Sequence, residues 1–141
     1  MNNKRKNYII TNHMRERFVE RTNKKFDHLK KCSTSNCDIC YTLIQKIQFE
    51  MNFHLSKIDE EIYRRLQLAE ENRSYINNTN YMSWYQEKYG YDKGFEFLVH
   101  EDIVFVVVVE GSKKVIVTCV NSQSHIAGRS PRKFKKKKQT L

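Results

Sequence analysis

The chain has 141 residues, 26 of them Lys or Arg and 16 Asp or Glu, for a formal net charge of +10. That length suits one domain, no apolar run approaches the roughly 18 residues of a membrane-spanning helix, and Lys4, Arg5 and Lys6 are followed by polar sequence rather than the apolar stretch of a secretory signal. With 39% hydrophobic and 12% aromatic residues the chain can bury a core. A soluble, cytoplasmic, basic domain is expected, with no membrane partner.

The charge is unevenly placed. Residues 1–12 carry three cations and no acid, residues 129–141 carry seven and no acid, and residues 13–128 hold 16 of each sign. The reading is a basic N-terminal arm, a neutral body and a basic disordered tail. The tail cations are Arg129, Arg132, Lys133, Lys135, Lys136, Lys137 and Lys138. Like charges in a row repel into extension, and a phosphate backbone is the natural partner, bound with salt-dependent affinity and little sequence preference.

In chain order, Thr11 or Asn12 can cap a helix beginning near His13. Met14 and Phe18 fall on one side of it, while His13, Arg17 and Arg21 recur every fourth residue on another. Residues 23–40 read as a polar, Lys-rich loop insertion bearing cysteines. From Tyr41 the apolar positions Ile44, Ile47, Met51, Leu55, Ile58, Ile62, Leu66 and Ala69 step by three and four, a sustained helical stripe. Ser56 with Asp59 resembles a capping box, which leaves one helix or two open. A short aromatic helix over Tyr81–Tyr89 stops at Gly90.

The last third is rich in Val, Ile and Phe. Strands are expected at 95–99, 103–109 and 115–120, with Glu110-Gly111-Ser112-Lys113 as a hairpin turn. The second is apolar on both faces, as a strand covered on both sides would be. The expected class is α+β: N-terminal helices followed by a three- to four-stranded antiparallel meander, as one domain over 13–128.

His28, Cys32, Cys37 and Cys40 supply an imidazole and three thiols within thirteen residues, enough for a closed tetrahedral zinc site. Structural zinc is the preferred reading, with no catalytic cofactor. Free thiols, or an iron–sulfur cluster using Cys119 as a distant fourth ligand, are the alternatives.

RNA cleavage needs no metal: the ribose 2′-oxygen attacks its own phosphate, given an acid, a base and cations to hold the charged intermediate. His13 and His125 suit acid/base work, and Arg17 and Arg21 suit phosphate. The bland readings stand beside these. His13 can be a surface residue, Arg17 and Arg21 can pair with Glu16 or Glu20, His100 can be a turn residue, and Thr118 can be an ordinary strand former.

The opening Ile10-Thr11-Asn12-His13-Met14-Arg15-Glu16-Arg17-Phe18-Val19-Glu20-Arg21-Thr22 resembles the start of small bacterial and phage proteins grouped with the RelE, barnase and colicin-D-like ribonuclease fold. The closing strands, Phe105–Val109 and Val115–Thr118, are similar to theirs. The resemblance covers about 13 residues at the front and 25 at the back. It implies a metal-independent, toxin-like endoribonuclease with His13, Arg17 and Thr118 at the matching positions and Arg21 a looser match. The cysteine insertion and the long tail depart from the pattern and leave open a relative with lost or altered chemistry.

Two other classes fit the same residues. One is a non-catalytic binder of nucleic acid or a host ribonucleoprotein, stacking bases on Tyr81, Trp84, Tyr85 and Tyr89. The other is a phage-encoded inhibitor whose basic tail occupies a polyanion groove.

Overall fold

The structure is a computed structural model and describes residues 5–75 and 79–121. Its helices are α1 (Asn12–Thr22), α2 (Asp27–Lys31), α3 (Asp38–Leu68) and α4 (Thr79–Tyr89); its strands are β1 (Ile9–Ile10), β2 (Glu70–Glu71), β3 (Gly94–His100), β4 (Ile103–Glu110) and β5 (Lys113–Asn121). The five strands lie in the order β1-β5-β4-β3-β2. The central three form the antiparallel meander. β1 adds to β5 in parallel, so the sheet is mixed rather than purely antiparallel. The α+β class holds.

Each face of the sheet has its own layer, because side chains alternate along a strand. Ile103, Phe105 and Val107 of β4 join Leu98, Ile116 and Cys119 on one face, where Met14 and Phe18 of α1 and Ile62 and Leu66 of α3 cover them. Val104, Val106 and Val108 face the other way with Phe95 and Phe97, under Tyr85 of α4. The doubly apolar sequence of β4 follows from this. Among the α4 aromatics, Tyr85 is core and Trp84 and Tyr89 pack against that core, so the base-stacking reading loses them; the Tyr81 side chain lies outside what is described.

Thr11 caps α1, accepting from the Met14 amide at 3.1 Å and donating to the Ile116 carbonyl at 3.0 Å. One hydroxyl thereby starts the helix and pins it to β5. Residues 5–10 of the expected arm belong to the domain. Tyr8 and Ile10 are core residues, and the Arg5 guanidinium is buried, donating to the Leu66 and Ala69 carbonyls at 2.7 Å each. A helix C-terminus leaves carbonyls without partners, and a guanidinium satisfies two at once.

α3 runs unbroken from Asp38 to Leu68 except at His54, whose φ of −126° and ψ of 25° are non-helical. The break falls two residues before Ser56, where the capping signal stood. Beyond it, α3 lies on the sheet. Before it, Ile47 packs with Val19 of α1 and with Phe26, which is fully buried in a 3-10 turn ahead of α2. The segment 23–40 is thus partly helical rather than a plain loop.

Candidate metal centre and the arginines of helix α1

The turn from α2 to α3 gathers the sulfur ligands. His28 stands in α2, Cys32 ends that helix, and Cys37 is the residue before α3, with Cys40 in its first turn. Asn36 takes a left-handed φ of 56°, which its short polar side chain tolerates, and so turns the Ser33–Asn36 link back on itself. Buried Phe26 anchors α2 against α3. One ligand atom from each of His28, Cys32, Cys37 and Cys40 lies within 4.8 Å of the others, and all four side chains are half-buried. The His28 Nε2 to Cys37 Sγ distance is 3.4 Å.

The four residues form a set able to hold a metal ion. Three thiols so close cannot all ionise unaided. The Thr34 backbone lowers Cys32, and the Cys40 backbone followed by His28 lowers Cys37. Desolvation, then its two neighbours, push the Cys40 thiol up to about 11. Three sulfurs and one imaidazole nitrogen match the donor set of a closed tetrahedral site. Cys119 does not belong to it: it is fully buried in the sheet core, where burial pushes its thiol up to about 12. His28 therefore completes the set that the iron–sulfur alternative assigned to Cys119.

The proposed chemistry of α1 is arranged differently from the sequence expectation. Glu20 is 2% exposed and sits between the two arginines, accepting from Arg17 Nη1 at 2.8 Å and pairing with Arg21 Nη1 at 3.2 Å. The pairing of Arg17 and Arg21 with an acid is thus what the fold contains. Arg65 of α3 stands over the Phe18 ring at 5.5 Å and donates to Glu61 at 3.2 Å. Cys119, on the face of β5 that α1 covers, feels the charges of Arg21, Glu20, Arg17 and Arg65.

Thr118 is on the wrong side for that cluster. A bulge between Val106 and Val107 brings Thr118 opposite Val106, a residue of the α4-side core, while Cys119 beside it faces α1. The extra residue, Val117, resets the alternation. His13 is exposed on α1, one turn before Arg17. His100 closes β3, paired with Ile103, with Nδ1 buried. His125 and the tail cations Arg129, Arg132, Lys133, Lys135, Lys136, Lys137 and Lys138 lie outside the described residues. Sequence reasoning missed Arg5 and Arg65; neither stands in a pattern, and only the fold reveals their acceptors.

No helix among the described residues is long and apolar enough to cross a membrane. No family model, curated protein or solved structure matches the chain.

Proposed function

We propose that the chain is a cytoplasmic RNA-binding protein whose α+β domain is tied together by zinc and whose tail grips phosphate. One observation carries this reading. Eight cations of the folded body pair with acids: Arg15 with Asp59, Arg17 and Arg21 with Glu20, Lys25 with Glu50, Arg64 and Arg65 with Glu61, Lys93 with Glu110, Lys114 with Glu96. The surplus is left to the tail, seven cations without an acid. Such a segment releases counterions on meeting a phosphate backbone, and that drives binding. In the metal set, zinc would be held by His28, Cys32, Cys37 and Cys40, and its work is structural: it closes the α2–α3 connection.

The test is RNA affinity against salt for the full chain and for a variant lacking 129–141. The truncation should cut the slope of log affinity on log salt by about five for single strands. An unchanged slope rejects the tail as the phosphate grip. A partner captured from host lysate that survives nuclease digestion points to protein recognition instead.

RNA cleavage is the second reading, favoured by one feature. α1, which carries His13, Arg17 and Arg21, docks along β5, the strand that precedes His125 in sequence, while His125 itself lies outside the described residues. Cleavage in EDTA, leaving 2′,3′-cyclic phosphate and lost in His13→Ala, supports it. Intact RNA in the presence of a folded, binding protein rejects it.

A further inference from the structure

The half of α3 that precedes the kink carries two phenylalanines where a helix of this fold has nothing to cover. Its buried edge is Ile47, with Met51 beside it, and Ile58 from beyond the kink packs on the same cluster. Phe49 and Phe53, by contrast, are 57% and 69% exposed. Their rings lie against one another, centroids 4.5 Å apart and tilted by 34°. Lys46 precedes Phe49 by three residues and shares its helix face with Phe49 and Phe53, while Lys57 follows Phe53 by four just beyond the break at His54. Both lysines are exposed, and neither makes an ion pair among the described residues. The acids nearest the stripe are committed elsewhere, Glu50 to Lys25 at 2.9 Å and Asp59 to Arg15 at 2.7 Å; Glu60 marks its far end.

We propose that Lys46, Phe49, Phe53 and Lys57 form a stacking platform for the bases of single-stranded nucleic acid. The inference rests on the nucleic-acid reading above and names the form of strand that reading takes. Two aromatic faces between two cations are what an unpaired strand needs: bases stack on rings while phosphates pass the ammonium groups. A duplex keeps its bases stacked on one another and offers the rings nothing. A second copy of the chain is a poorer occupant. Antiparallel pairing through the two phenylalanines sets each Lys46 against a Lys57, and parallel pairing sets like against like.

The experiment uses the full chain loaded with zinc and measures anisotropy of a labelled oligouridylate and of an RNA duplex of the same length. Phe49→Leu/Phe53→Leu keeps helix propensity and apolar bulk while removing both π-faces. It should weaken oligouridylate binding about tenfold or more and leave duplex binding unchanged. Phe53→Trp should retain affinity and show quenched indole fluorescence on binding. Unchanged oligouridylate affinity in the double leucine variant overturns the platform while leaving the tail-based reading standing. So does a wild-type dimer in sedimentation that the double variant dissociates without loss of oligouridylate affinity. If the wild type binds neither RNA at low salt, the nucleic-acid reading fails and the platform with it.

Discussion

The Arg5 guanidinium closes the end of helix α3 through the carbonyl of Ala69, 2.7 Å away and 64 positions along the chain. This contact ties Arg5 to the point where α3 passes into β2, so that this cation of the expected basic arm is part of the domain. Arg5→Ala removes a buried, charge-assisted pair of hydrogen bonds and leaves two carbonyls without donors. Stability should fall by about 2 kcal/mol, read as the shift in urea midpoint at unchanged slope. Arg5→Lys should recover part of it, because both bonds leave one nitrogen, Nη1, and an ammonium on a shorter stem keeps the charge but reaches the two carbonyls less well.

Metal should be bound one ion per chain. Cobalt titration of the reduced protein should give the visible bands of a tetrahedral thiolate site, and zinc should bleach them. Cys37→Ser should weaken metal binding strongly, while Cys119→Ala should leave cobalt stoichiometry unchanged and reduce stability only by the loss of a small buried group. A cobalt spectrum altered by Cys119→Ala would count against the four-residue set.

Glu20 is the one buried acid among the described residues. Glu20→Ala leaves two partly buried guanidinium groups facing each other without a carboxylate, a loss of about 3–5 kcal/mol by analogy with broken buried pairs. Glu20→Gln should cost less and, by freeing Arg17 and Arg21, should raise RNA affinity. Parallel thermal melts and binding curves check both halves; a fall in affinity with a retained fold shows that the two arginines do not reach phosphate.

The pH dependence has one legible contributor. Hydrogen bonds from Arg64, then Arg65, hold the Glu61 carboxyl at about 2, against an ordinary 4.5. A depressed carboxyl favours the folded state above its unfolded value and loses that advantage as pH falls toward the folded one. The contribution is therefore full above about pH 4.5 and vanishes on approach to pH 2. Glu61 and Arg64 are each more than a third exposed, so solvent screening limits it to about 0.5–1 kcal/mol. Glu61→Gln should flatten the stability curve in that window, and the difference from wild type should shrink in 1 M salt.

Much of the fold is legible in the residues because local chemistry and tertiary placement agree. Thr11 announces the start of α1, Gly111 with its φ of 63° marks the β4–β5 turn, and the Val run of β4 declares burial on both faces. The His28–Cys40 set is legible for the same reason: its ligands lie within thirteen residues. What was not legible depends on distant partners. β1 and β2 are two residues each, too short for any periodicity, and exist only because β5 and β3 offer edges. The Val117 bulge lies in a run of β-branched residues with no glycine to betray it, so nothing in the sequence warned that Thr118 would leave the α1 face. Glu20 reads as one more surface acid until α1 is docked.

The non-helical residue at His54 divides one long helix between two neighbourhoods. The stretch after it shares its fate with the sheet; the stretch before it depends on Phe26, Ile47 and the thiols. Such a division predicts two cooperative units of unequal strength. Amide hydrogens of Ile58–Leu66 should exchange only through global unfolding whether or not metal is bound, whereas those of Leu43–Met51 should exchange quickly in chelator and slowly with zinc. A metal held by His28, Cys32, Cys37 and Cys40 would, given the break at His54, act as a local clamp on one end of the described domain, ordering the phenylalanine face without altering the core beneath the sheet.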